Sequence, residues 1–187
     1  MNFNKFPFYN QTSNKNCGPT CLRIISRYYG KTQSFKDLDK EILSYNGLLI
    51  NDLESLAVKL NFKAIIVKTS FESVKDRAPL PFIAHWNQNH YVVVYKIKKE
   101  HVYVSDPAFG KTKYTIEEFL KGWLSNSSNL QQKGIALLLE PTDAFFENSR
   151  AKKKEKIKFS AFLFIKKYFL FYKFHLSQLL LGFFLGS

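Results

Sequence analysis

Three features of this 187-residue sequence predict an α+β fold. Helical periodicity fills the first third, runs rich in β-branched and aromatic residues fill the middle, and two of those runs are joined by a short polar loop. Helices first and an antiparallel sheet second is the pattern of an α+β domain. The length suits one domain plus an appendage and is enough to bury a core without disulfide staples.

The elements follow in order. After Cys17, apolar positions at Cys21, Ile24, Ile25 and Tyr28 mark one face of a helix. Pro19 suits its first turn and Gly30 its stop. Ser34 and Asp37 form a capping pattern that opens a second helix through about Tyr45. A third follows Asn51, with Leu53, Leu56, Ala57 and Leu60 on one side. Strands are predicted over 62–69 (FKAIIVKT), 80–86 (LPFIAHW), 90–97 (HYVVVYKI) and 101–106 (HVYVSD). The loop KKE makes the last two an antiparallel hairpin. A short helix is expected over 115–123 (TIEEFLKGW), and a closing strand over 134–141 (GIALLLEP). No internal repeat is visible.

The net charge of +13 is unevenly spread. Residues 1–149 carry 19 Lys and Arg against 14 Asp and Glu, whereas residues 150–187 carry 9 against 1. The sequence therefore divides into a mildly basic domain, 1–149, and a basic tail, 150–187. The tail opens on RAKKKEKIK and continues FSAFLFIKKYFLFYKFHLSQLLLGFFLGS. Its uncharged end is 14 residues, short of the roughly 20 that span a bilayer. It reads either as an interfacial amphipathic helix or as an elbow leading into the beginning of a transmembrane helix. Its basic residues favour the cytosolic side of a membrane. Lysines among aromatics also resemble a single-strand nucleic-acid site, but a continuous apolar run favours the membrane. No nucleic-acid partner is expected.

Both cysteines lie in QTSNKNCGPTCLRIISRYYG, residues 11–30. No secretory signal opens the chain, so the thiols are expected in a reducing compartment. The Cys-x-x-x-Cys spacing and four scattered histidines do not suit zinc, and no metal is expected. A disulfide between positions one helical turn apart has poor geometry. The two cysteines need not be equivalent. Cys21 lies on the apolar face and reads as core. Cys17 stands where the helix begins, followed by Gly18, and free N–H groups there favour a thiolate. Taken alone, Cys17 reads as a second buried cysteine.

Partners for Cys17 are sought in the hairpin. A turn centred on Lys98 and Lys99 pairs residues whose numbers sum to about 196 to 198, and His90 with Asp106 sums to 196. An imidazole beside a carboxylate that orients it is the arrangement a thiol nucleophile needs. Singly, His90 reads as a strand-end histidine and Asp106, before Pro107, as a turn-former. Their expected adjacency favours chemistry. His85 and His101 rank lower, and His175 lies in the tail. The Cys17 backbone N–H and the Gln11 side chain are candidate donors to an oxyanion, although Gln11 on spacing alone reads as loop.

Gln11, NCGPTCLRIISRYYG, NHYVVVYKI and VYVSDPAFGKTKYTIEEF together closely resemble the peptidase domain of bacterial peptidase-containing ABC transporters. These are bacteriocin-processing peptidases that cut double-glycine leaders. The resemblance covers about residues 5–147 and implies a papain-like fold with functional residues in the order Gln, Cys, His, Asp. By this resemblance Cys17 is the nucleophile, His90 the general base and acid, Asp106 its orienting partner, and Gln11 part of the oxyanion hole. Asn16 departs from the aspartate that many members carry there. Some relatives lack the cysteine and only bind, so a non-catalytic leader-binding module is the alternative.

The resemblance also implies an N-terminal peptidase domain on the cytoplasmic side of the bacterial inner membrane. A transmembrane domain and an ATPase follow in the same chain or act from a separate one. No Gly-x-x-x-x-Gly-Lys-Ser/Thr loop occurs in these 187 residues. The peptidase is therefore expected to need no cofactor, with ATP entering only through an ATPase domain elsewhere. By the resemblance, the chain is expected to be a piece of a transporter, a split gene product, or a membrane-tethered peptidase serving a separate transporter.

Overall fold

The computed structural model describes residues 5–31, 49–124 and 132–147. Helix α1 (Cys17–Tyr28) follows a single 3-10 turn, Asn14–Asn16. It stops as expected, with Gly30 at φ +91° and its N–H bonded to the Arg27 carbonyl at 3.0 Å. Helix α2 (Ile50–Lys59) starts where the Leu49 N–H donates to the Asp52 carboxylate at 2.9 Å. Strand β1 (Phe62–Thr69) comes next. The helix expected between Ser34 and Tyr45 and the whole basic tail lie outside the described residues, as does the boundary at 149/150.

Besides the 3-10 turn, a helix and a strand were not foreseen from the sequence. Helix α3 (Phe71–Arg77) is capped by Ser70, whose hydroxyl accepts from the Ser73 N–H, and it buries Phe71 and Val74. It is too short for a helical stripe to show. Strand β5 (Gly110–Thr115) follows β4 and alternates lysine with threonine and tyrosine. It is an edge strand, and lysines on an edge discourage pairing with another chain.

The remaining elements match the expectations closely: β2 (Phe82–Trp86), β3 (His90–Lys98), β4 (His101–Asp106), α4 (Ile116–Trp123) and β6 (Gly134–Pro141). Among the described residues the strands form one sheet in the order β1-β6-β2-β3-β4-β5, every pair antiparallel. Thr115 and Glu118 cap α4 reciprocally.

Helices cover both faces of this sheet. On one face α1 and α2 pack Cys21, Ile24, Ile25 and Leu53 against Tyr91, Val93 and Leu137. On the other, Phe119 and Trp123 of α4 and Phe71 of α3 meet Phe82, Trp86, Val92 and Val94. Strand β3 alternates between the two clusters, as a strand with both faces buried must. Among the described residues no helix is long and apolar enough to cross a membrane.

Candidate active site

The site is built where α1 begins and where β3 and β4 meet. Gly18 holds α1 close to β3. A methyl group there would lie 3.1 Å from Leu53 Cδ1 and 3.3 Å from Tyr91 Cδ2. The Cys21 thiol donates to the Tyr91 carbonyl at 3.3 Å. Two contacts, from successive turns of the helix, thus fix α1 against the residue next to His90.

Cys17 is the first residue of α1 and is 5% exposed. Asn16 precedes it but makes no side-chain cap. Its amide donates instead to the Thr12 hydroxyl at 2.8 Å. The cap side chain therefore does not compete for the first N–H groups of the helix. Cys21 is fully buried in the core, and burial first, then the neighbouring Cys17 and Asp106 charges, pushes its thiol well above the usual range. It stays a protonated core residue, as the sequence predicted.

His90 opens β3 after a tight turn in which Trp86 pairs with His90, and Asn87 and Gln88 adopt left-handed backbone at φ 46° and 63°. Asp106 ends β4 and is 2% exposed. His90 Nε2 and Asp106 Oδ1 are 2.8 Å apart. The adjacency holds, but by a different register from the one expected. The turn falls at Lys99 and Glu100, with Lys98 opposite His101, and a bulge between Val94 and Lys96 leaves Val93 opposite Ser105. The pair sums are thus 199 and then 198. His90 reaches Asp106 along the diagonal rather than from directly across, within range of a long side chain.

The Asp106 carboxylate does two jobs. Its Oδ1 also accepts the Ala108 N–H at 2.8 Å, which fixes the turn after β4. The Gln11 N–H donates to the Pro107 carbonyl at 3.0 Å, bringing the N-terminal segment onto the same turn. Burial lowers the His90 value, but hydrogen bonds to Asp106 and to Cys17, reinforced by their negative charges, outweigh it and raise the imidazole to about 9. With Nε2 facing Asp106, Nδ1 is the nitrogen left for Cys17.

Gln11, His90 and Asp106 line one cleft of about 530 Å³. Trp86, Phe109 and Tyr114 line it as well, and the sequence reading missed all three. The signal for Trp86 was its place beside the turn that ends at His90; Tyr114 needed the unforeseen strand β5. Cys17 is not among the lining residues. His85 instead stacks near Tyr91, with ring centres 5.2 Å apart, and burial lowers its value. Among the described residues no group of three or more His, Cys, Asp or Glu is placed to hold a metal.

The comparisons agree with this fold. The lacticin-481/lactococcin-DR transport/processing ATP-binding protein of Lactococcus lactis subsp. lactis is 30% identical over 150 residues, 74% of this chain and 22% of that protein. The lactococcin-G-processing and transport ATP-binding protein LagD, also from L. lactis subsp. lactis, is 36% identical over 121 residues, 60% of this chain and 17% of LagD. The chain thus spans about a fifth of the length of these curated relatives. The crystal structure of a double glycine motif protease from an AMS/PCAT transporter, in complex with its leader peptide, superposes with a TM-score of 0.63 at 28% identity. That match covers 74% of this chain and 93% of the other. The peptidase domain of Streptococcus ComA, a bi-functional ABC transporter, shares the fold, with a TM-score of 0.62 at 23% identity over 73% of this chain and 99% of that domain. The family model for the Peptidase C39 family matches residues 5–138. This chain belongs to the Peptidase C39 family.

Proposed function

We propose that the chain is a cysteine endopeptidase that removes double-glycine leaders from bacteriocin-like peptides during export. The observation that carries this reading is the His90–Asp106 pair, 2.8 Å apart, whose imidazole is also hydrogen-bonded to Cys17, the first residue of α1. A raised imidazole value favours an imidazolium at neutral pH, the partner a thiolate needs.

The chemistry divides among four residues. The Cys17 thiolate attacks the carbonyl carbon of the scissile peptide bond. The resulting oxyanion accepts hydrogen bonds from the Cys17 backbone N–H and the Gln11 side-chain amide. His90 gives its proton to the leaving nitrogen, the C–N bond breaks, and a thioester remains on Cys17. Neutral His90 then takes a proton from water, whose oxygen attacks the thioester. The leader leaves with a free carboxylate, and the thiolate–imidazolium pair returns. Asp106 keeps Nε2 occupied and stabilises the charged ring.

The partners in this proposal are a leader peptide ending in Gly-Gly or Gly-Ala, a membrane contacted by residues 150–187, and transporter membrane and ATPase domains. The peptidase lies on the cytoplasmic side and needs no cofactor; ATP is used by the ATPase. The relatives named as transport/processing ATP-binding proteins support this setting. Incubation of the reduced chain with a Gly-Gly leader peptide, with products mapped by mass spectrometry, tests the reading. Cleavage after the second glycine, lost in Cys17→Ala, is expected. Binding without cleavage, equal in wild type and Cys17→Ala, marks a leader-docking module instead.

A further inference from the structure

The cleft beside His90 holds more than the cleavage chemistry uses. Gln11, His90 and Asp106 line it and Cys17 does not. The acyl half of a substrate is held on Cys17, while the imidazole delivers its proton to the leaving nitrogen. The leaving half therefore departs past the imidazole, and the imidazole lines this cleft.

The cleft is built for a peptide. Trp86 is 8% exposed, and its ring centre lies 5.4 Å from that of Tyr114. Trp86 cannot move back, because Gly122 of α4 packs on its ring so closely that an added Cβ would meet Trp86 Cζ2 at 2.3 Å. Phe109 is 85% exposed at the tip of the turn between β4 and β5. A lone exposed phenylalanine means little. The backbone just before this one is anchored, since Ala108 and His90 share Asp106 Oδ1 and the Gln11 N–H donates to the Pro107 carbonyl. Asn87 and Asn89 also line the cleft, and the Asn87 N–H is bonded to the Gly122 carbonyl at 2.8 Å. Side-chain amides offer both donors and acceptors to a peptide backbone. Three aromatic rings and Ala108 thus share the lining with polar side chains, a mixture that can take an apolar side chain together with the polar backbone that carries it.

We propose that Trp86, Phe109 and Tyr114 form a subsite for an apolar side chain in the first two residues after the scissile bond. The enzyme then reads the start of the released peptide as well as its leader. This assignment rests on the peptidase reading above.

The test uses the full chain and two peptides with one leader ending in Gly-Gly, continued by Tyr-Ile in one and Ser-Ser in the other. The Tyr-Ile peptide is expected to have roughly tenfold higher kcat/KM, the discrimination a hydrophobic pocket supplies. Phe109→Ala is expected to bring that ratio down to within about threefold, and Phe109→Tyr to restore it. Wild-type ratios within about twofold, or a ratio unchanged in Phe109→Ala, overturn the subsite while leaving the peptidase reading intact. Failure to cut either peptide overturns both.

Discussion

His90 is the residue whose state decides the pH behaviour. Its folded value of about 9 exceeds the ordinary 6.5, because bonds to Asp106 and Cys17 outweigh burial. A base with a raised folded value contributes stability that is complete below its unfolded value and is lost as pH rises through the folded one. The ion pair therefore stabilises fully below about 6.5, and that share disappears between there and about 9. Peptidase activity is expected to fall along the same limb, near pH 9, as the imidazolium loses its proton. Asp106→Asn removes the charge that holds the limb there. Its pH–rate profile should show the basic limb displaced toward lower pH and kcat reduced roughly a hundredfold. A limb that stays put would remove Asp106 from the role proposed. Cys21 gives the contrast. Cys21→Ala loses the bond to Tyr91 and some packing, so thermal or denaturant unfolding should show about 1–2 kcal/mol of destabilisation, with cleavage retained.

At the level of elements, the site depends on how closely α1 approaches β3. Gly18→Ala places a methyl within 3.1 Å of Leu53 and 3.3 Å of Tyr91, so one of them must give. Overpacking of this kind costs about 1–3 kcal/mol. A small displacement of Cys17 from His90 costs more in rate than in stability, and kcat should fall by roughly tenfold or more. Measuring kcat beside the unfolding midpoint separates the two effects. The same elements show what a sequence reveals. Helix α1 was legible because its apolar positions recur with helical spacing and Gly30 ends it. The meeting of His90 and Asp106 was legible because a hairpin with a short loop has nearly forced pairing. The bulge at Tyr95 was not, since nothing local marks an extra residue, and the adjacency survived because long side chains tolerate a diagonal. Strand β5 was missed because an edge strand of Lys and Thr lacks the apolar signal on which strand recognition depends. With it went Tyr114, and the cleft of which it forms a wall.

On the scale of the whole molecule, every group of the proposed mechanism and both packed clusters fall within residues 6–145. A chain cut at residue 149 should therefore fold and cleave leader peptide with kcat/KM within about threefold of the full chain, the margin expected when a change does not touch the site. The basic tail, 9 Lys and Arg against 1 acid, should instead govern membrane contact. Sedimentation with anionic vesicles is expected for the full chain and lost on truncation, weakening with added salt. Truncation that abolishes cleavage would place part of the site in the tail. In the proposed mechanism Cys17, and not Cys21, is the nucleophile. A leader peptide ending in Gly-Gly chloromethyl ketone, followed by digestion and mass spectrometry, tests this most directly. A single adduct on Cys17 is expected, absent in Cys17→Ala and reduced in His90→Ala; labelling of Cys21, or no labelling of a folded and reduced chain, would rule out Cys17 as the nucleophile.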